Sequence, residues 1–165
     1  MMTIRAATAE DVHAIWAIRT RAILTSCLSH YPKAIVTAWA QAPMPDDFED
    51  VLTDLHAIIA EELDIHKKTT ILGFGFIDIE QSRFESLFVD PNAASKGIGK
   101  MIAETLISNA KKADLTELHL SSSLNAVDFY QKMGFTALEE THWQHPAGFT
   151  LASVSMTTQL TLTNG

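Results

Sequence analysis

The chain has 165 residues, 47% of them hydrophobic and 19% charged, with a formal net charge of -8. A domain of this length buries roughly two thirds of its unfolded surface, so one core over residues 1–165 suffices and intrinsic disorder is excluded on composition. The acidic balance and the lack of any Lys/Arg-rich segment argue against nucleic acid or an anionic membrane as partner, and no apolar run approaches the ~18 residues of a bilayer span.

The lone Cys27 has no partner for an intramolecular disulfide, and Met1-Met2-Thr3-Ile4-Arg5-Ala6 lacks the apolar run of a secretory signal. The expected compartment is therefore the reducing cytoplasm. Because the overall field opposes anions, an anionic ligand would have to be held by local devices such as backbone N–H groups.

In chain order, Thr3–Ala6 reads as a short strand, and Thr8 with Asp11 as the start of a helix whose inward stripe is Val12, Ile15, Trp16 and Ile23. His30-Tyr31-Pro32 breaks that helix, and Pro32 opens another through Ile35, Val36 and Trp39, ended by Pro43 and Pro45. A short helical turn is expected between Asp46 and Leu55, then a strand from Ala57. A hairpin turn at His66-Lys67-Lys68 leads into the returning strand Thr70–Ile79, and Gln81-Ser82 turns into a fourth strand, Arg83–Val89.

After Asp90-Pro91-Asn92 comes the loop Ser95-Lys96-Gly97-Ile98-Gly99-Lys100, then a helix from Ile98 to Lys112 with Ile98, Met101, Ile102, Leu106 and Ala110 at helical spacing. Leu118 and Leu120 mark a further strand. Asn125–Met133 forms a short helix closed by Gly134, and the remainder is a hairpin around Pro146-Ala147-Gly148 whose alternation could present an edge to a second copy, making a homodimer.

A glycine-containing loop that opens a helix leaves backbone N–H groups free, and with the helix dipole these suit a pyrophosphate. Gly97 and Gly99 remove the Cβ atoms that would obstruct it. Alone, the pattern is equally that of a tight turn. It fits neither a P-loop, which needs Gly-Lys-Ser/Thr after four intervening residues, nor a dinucleotide fold, whose glycines follow the first strand.

Leu87-Phe88-Val89-Asp90-Pro91 upstream, the loop itself, and Asn125, Phe129-Tyr130 and Gly134-Phe135 downstream together resemble the GNAT superfamily of N-acetyltransferases. The likeness covers most of the chain, although Ala94 stands where that superfamily usually has Gln or Arg. His30-Tyr31-Pro32 with Trp39, and Ser123-Leu124, are similar to a YafP-like bacterial branch. The resemblance implies an α+β, three-layer fold: a mixed, mostly antiparallel sheet of six to seven strands flanked by about four helices. It also implies acetyl-CoA as cosubstrate and a small-molecule or peptide amine as acceptor.

By the same resemblance, main-chain groups of Leu87, Phe88 and Val89, at a bulge where the fourth and fifth strands splay, would hold the thioester and pantetheine arm. Ser95, Lys96, Gly97, Ile98, Gly99 and Lys100 would bind the pyrophosphate, and Asn125 a pantetheine amide. Tyr130 would protonate the departing thiolate, and Trp16, Tyr31 and Trp39 would line the acceptor pocket. Glu85, two residues before Leu87 on the same face of the fourth strand, is the candidate base. Each position has a plainer reading: Tyr130 as core, Glu85 as the partner of Arg83, Asn125 as a helix cap, the lysines as solvated, the tryptophans as packing. His142 and His145 lack the company a metal needs, so no metal is expected. Two alternatives stay open: a non-catalytic acyl-CoA-binding or sensor module of the same fold, and a phosphate-binding regulatory domain unrelated to coenzyme A.

Overall fold

The computed structural model describes residues 1–93 and 96–161, so Ala94 and Ser95 of the glycine loop lie outside the described residues. Among the described residues are seven strands: β1 (Met2–Ala6), β2 (Ile58–Leu63), β3 (Thr69–Asp78), β4 (Arg83–Val89), β5 (Glu117–Ser123), β6 (Thr136–Gln144) and β7 (Thr150–Gln159). They form one sheet in the order β1-β2-β3-β4-β5-β7-β6. Every pairing is antiparallel except β4 with β5. Five α-helices accompany them among the described residues: α1 (Val12–Ser26), α2 (Lys33–Gln41), α3 (Phe48–Asp54), α4 (Ile98–Lys112) and α5 (Val127–Lys132). The mixed α+β architecture is the expected one. None of the described helices is long and apolar enough to cross a membrane.

The two faces of the sheet are covered by different helices. On one, Ile98, Ile102, Leu106 and Ala110 of α4 pack with Ile58, Ala60, Leu118 and Leu120. Gly73 and Gly75 of β3 make this approach possible: a Cβ on Gly75 would lie 2.9 Å from Leu106 Cδ1, and one on Gly73 3.0 Å from Ile102 Cδ1. On the other face, Val12, Ile15 and Ile18 of α1 and Phe48 and Leu52 of α3 meet Ile59, Phe74 and Phe76.

Helix α1 begins where Thr8 and Asp11 indicate. The Thr8 N–H donates to Asp11 Oδ2 at 2.8 Å, and the Arg5 guanidinium holds both oxygens of that carboxylate at 2.9 and 3.0 Å, keeping it below its ordinary range. The inward stripe differs from the expected one. Ile18 and Arg19 are buried, whereas Trp16 is only partly covered, edge-on to Phe48 at 5.1 Å.

Arg19 closes the end of α2. Its guanidinium sits 4.2 Å from the Trp16 ring centroid and donates to the Trp39 carbonyl at 2.6 Å and the Ala40 carbonyl at 3.1 Å, at the negative end of that helix's dipole. Burial lowers its pKa to about 10, still far above neutrality, so the cation persists. Arg19→Leu leaves the Ala40 carbonyl without its donor, at about 1–3 kcal/mol, while the Trp39 carbonyl keeps the Ala42 N–H at 3.2 Å. The expected loss of about 2 kcal/mol lowers Tm by roughly 4–8 °C in a chain of this size, measurable by calorimetry.

The sheet shifts register at three places among the described residues, between β2 and β3 at Ala60/Glu61, between β6 and β7 at Ala137/Glu139, and between β3 and β4, where the shift bears on the site. Phe76 pairs with Ser86 but Ile77 with Phe84, so Glu85 is the extra residue of a β-bulge. This corrects the expectation of a bulge at Phe88 and Val89, which pair regularly with Phe74 and Gly73. The register with β3 decides the bulge position, and the local sequence of β4 carries no mark of it.

The phase of the ladder follows from the Asp90 N–H, which donates to the Leu72 carbonyl at 2.7 Å. Hydrogen-bonded pairs alternate along an antiparallel ladder, so the Phe88 amide faces β3, and the Leu87 and Val89 amides face β5. On that side β5 is absent. Among the described residues the two strands share one bridge, Arg83 with His119, and then diverge. In the last hairpin β7 is interior, between β5 and β6, so the edge that the hairpin presents is β6, and β1 forms the opposite edge of the sheet.

Candidate active site

The gap between β4 and β5 joins two cavities. One of about 430 Å³ lies between the end of β4, the start of α4 and α5, and is bordered by Val89, Gly97, Gly99, Asn125 and Phe129. The other, about 500 Å³, lies toward the last hairpin and is bordered by Trp39, Arg83, Glu85, His142 and Trp143. Leu87, Phe88, Ser123, Ala126 and Tyr130 belong to both walls, so the two spaces meet across the opened sheet.

In the first cavity Gly97 stands at the N-cap of α4 with φ 73°, a left-handed conformation that favours glycine, and a Cβ there would meet nothing within 4 Å. Among the described residues, the space before the helix is open on the protein side. Met101 N–H reaches back to the Gly97 carbonyl at 3.1 Å. The amides of Ile98, Gly99 and Lys100 belong to the first turn, where helix geometry offers no intrahelical acceptor. Gly99 brings α4 against α5, since a Cβ on it would lie 3.4 Å from the Phe129 ring. Lys96 and Lys100 are exposed and lean on Glu62 at 4.0 Å and Glu104 at 3.8 Å, the solvated behaviour of ordinary surface lysines. Ser95 lies outside the described residues.

Asn125 is not a helix cap. It sits inside the single 3-10 turn Leu124–Ala126, and its side-chain oxygen is buried with no hydrogen-bond partner among the described residues. An unpaired buried carboxamide oxygen costs about 1–3 kcal/mol, so its position beside the cavity suits a ligand that carries N–H groups. Asp90 was missed by sequence reasoning. It accepts from Arg21 Nη2 at 2.7 Å and from the Asn92 N–H at 3.1 Å, which ties α1 to the end of β4 and keeps its carboxyl below the usual range. Cys27 borders the same cavity, but burial pushes its thiol up to about 11, so it stays protonated at neutral pH.

Tyr130 stands at the junction. Its ring meets Phe84, Phe129 and Phe135 edge-on at 5.7, 5.2 and 5.8 Å, and burial drives its phenol above the ordinary value. The residue is thus both part of the core and a neutral donor on the cleft wall.

In the second cavity the bulge sets Glu85 beside Arg83, with Nε to Oε1 at 3.3 Å. Burial raises the Glu85 carboxyl, Arg83 lowers it and Asp78 raises it; the net direction is upward. Tyr31 borders this cavity through its ring, edge-on to Trp39 at 5.8 Å. Its hydroxyl is committed elsewhere, donating to the Ala152 carbonyl and accepting from the Leu124 N–H at 3.0 Å. Trp16 borders neither cavity, being turned toward Phe48 and Arg19.

The hairpin wall escaped the sequence reading. Thr141 and Ser153 exchange a hydrogen bond at 3.0 Å there, next to His142 and Trp143. Runs of hydroxyl and aromatic residues on β6 and β7 were the only available signal. His145 is turned away, stacked on Phe149 at 4.4 Å, and among the described residues no group of three or more His, Cys, Asp or Glu side chains could hold a metal.

Residues 27–156 match the acetyltransferase (GNAT) domain family. The chain belongs to the GNAT acetyltransferase family. The uncharacterized N-acetyltransferase YafP of Escherichia coli is 25% identical over 130 residues, covering 79% of this chain and 78% of YafP. Peptidyl-lysine N-acetyltransferase YjaB of Salmonella typhimurium is 38% identical over 61 residues, which is 37% of this chain and only 41% of YjaB.

Among solved structures, a GCN5-related N-acetyltransferase from Rhodopseudomonas palustris superposes with TM-score 0.83 at 24% identity, covering 96% of this chain and 95% of the other. PaiA N-acetyltransferase from Thermoplasma acidophilum, solved with coenzyme A, gives TM-score 0.71 at 18% identity over 96% and 99%. At these identities the likeness is one of GNAT fold.

Proposed function

We propose that this GNAT protein moves an acetyl group from acetyl-CoA to a primary amine of a small molecule or peptide, by direct attack in a ternary complex in the cytoplasm. The observation that carries this reading is the meeting of two cavities at Tyr130, where β4 and β5 part, with the unpaired Asn125 oxygen in one wall. The residues present fit the cosubstrate. Asn125 accepts a pantetheine amide N–H, Leu87 and Val89 offer amides from the free side of β4, and the first turn of α4 beyond Gly97 receives the pyrophosphate.

Acetyl-CoA supplies the acetyl group as a thioester. The amides on β4 hydrogen-bond its carbonyl oxygen as negative charge gathers there. Glu85 takes a proton from the acceptor ammonium, directly or through water, and the freed amine nitrogen bonds to the carbonyl carbon; as the C–S bond breaks, Tyr130 donates to the sulfur and the nitrogen's second proton passes through water to restore the phenol. A carboxylate of raised pKa suits the first task and a phenol held neutral by burial suits the second.

Release of thiol from acetyl-CoA, measured against polyamines, aminoglycosides, amino acids and peptides, tests the proposal. Turnover with at least one class is the expected result. Binding of acetyl-CoA with no turnover on any acceptor would favour a sensor module instead. Glu85 has a pH signature. A base must be ionised to act, so kcat/KM falls as pH drops through its raised pKa, giving an acid limb above the ordinary glutamate range near 4.3. Glu85→Gln removes that limb and lowers kcat/KM about 100-fold, read from rate profiles of the two proteins.

A further inference from the structure

The second cavity contains one permanent cation and one carboxylate among the described residues that border it, Arg83 and Glu85, and the two are paired at 3.3 Å. Arg83 has a further bond, Nη2 to Ser121 Oγ at 3.0 Å, which steers its guanidinium along the β5 wall. Both side chains keep solvent contact, 44% and 32% exposed, so their pairing is readily exchanged for contacts with a ligand. Leu87, Glu85 and Arg83 follow one another along β4: an amide on the reacting side, the proposed base, then a cation at the closed end of the gap, where Arg83 bridges His119.

From this order we infer that the acceptor is a zwitterion, an amine that also carries a carboxylate. Its ammonium faces Glu85 and its carboxylate takes the guanidinium fork of Arg83. The internal ion pair then opens into two intermolecular ones, with no charge left unmatched in a protein whose net charge of -8 would repel an anionic acceptor. Because Arg83 Nε and Glu85 Oε1 lie side by side, the ligand's two charges must also be close, with roughly one to three carbons between amine and carboxylate. Long polyamines, which carry no carboxylate, leave Arg83 without an anionic partner. The inference rests on the acetyltransferase reading and deepens it.

The test compares amino acids, including β-alanine and γ-aminobutyrate, with their primary carboxamides, at saturating acetyl-CoA. The carboxamide has nearly the same shape, and its α-amine is the more readily deprotonated, so amine reactivity alone would favour it. The expected result is a kcat/KM at least ~10-fold higher for the acid, carried mainly by KM. Arg83→Gln brings the acid-to-amide ratio to about one, Arg83→Lys restores part of it, and acetyl-CoA binding by each variant confirms that it is folded. Equal or better turnover of the carboxamides overturns the inference. So does a ratio that survives Arg83→Gln, or a protein that acetylates other amines and no carboxylated one. Failure of the acetyltransferase reading is distinct, since it would show as absent acetyl-CoA binding or as binding with no turnover of any amine, carboxylated or not.

Discussion

Tyr130→Phe is expected to lower kcat about 100-fold while leaving the dissociation constant of acetyl-CoA within a factor of about three, as removal of a proton donor does when shape is preserved. The ring is fixed by edge-on contacts with Phe84, Phe129 and Phe135, all of which phenylalanine keeps. The substitution therefore deletes one O–H and little else. Burial holds that phenol protonated across the working pH range, so it serves as a donor without a preceding protonation step. Stopped-flow measurement of thiol release, with calorimetric titration of acetyl-CoA on both proteins, separates the two quantities. A kcat within about threefold of the native value would assign Tyr130 to packing alone.

Gly97→Asp is expected to weaken acetyl-CoA binding at least ~100-fold, close to 2.7 kcal/mol. Two effects combine. Residue 97 has φ 73°, which costs a side-chain-bearing residue about 1–3 kcal/mol, and the new carboxylate stands in the open space before α4 where phosphates are proposed to lie. Gly97→Asn separates them, because asparagine tolerates the left-handed region and has the shape of aspartate without its charge. The asparagine protein should bind about tenfold more tightly than the aspartate one. Equal affinities for native, Asn and Asp proteins would remove the pyrophosphate from this helix end.

Much of the scaffold was legible because its signals are local. Ile98–Lys112 carries its apolar residues at helical spacing behind a glycine pair, and α4 has those bounds. Arg83–Val89 is enclosed by a turn and by Asp90-Pro91, and β4 has those bounds too. What escaped reading is set by non-local pairing. The extra residue at Glu85, the choice of Leu87 and Val89 as amides on the free side, and the interior place of β7 all follow from register with β3 and β5.

Side-chain roles show the same division. Glycine at 97 announced itself, since a helix start in the left-handed region has few other solutions. Trp16 did not, because helical periodicity places it near the inward stripe while Phe48, far along the chain, draws it away from the cleft. Asn125 read equally as a cap or as a ligand group, and only the turn Leu124–Ala126 removed the cap. The hydroxyl and aromatic wall of β6 and β7 became part of a site only when the hairpin folded over the gap.

The account stands on acetyl-CoA occupying the space between β4 and α4. Calorimetric titration of the native protein with acetyl-CoA measures this directly. Saturable binding at a single site, with a dissociation constant of roughly micromolar to millimolar and an affinity reduced at least ~10-fold in Asn125→Leu, is the predicted result. No heat of binding and no shift of Tm at millimolar acetyl-CoA would contradict it.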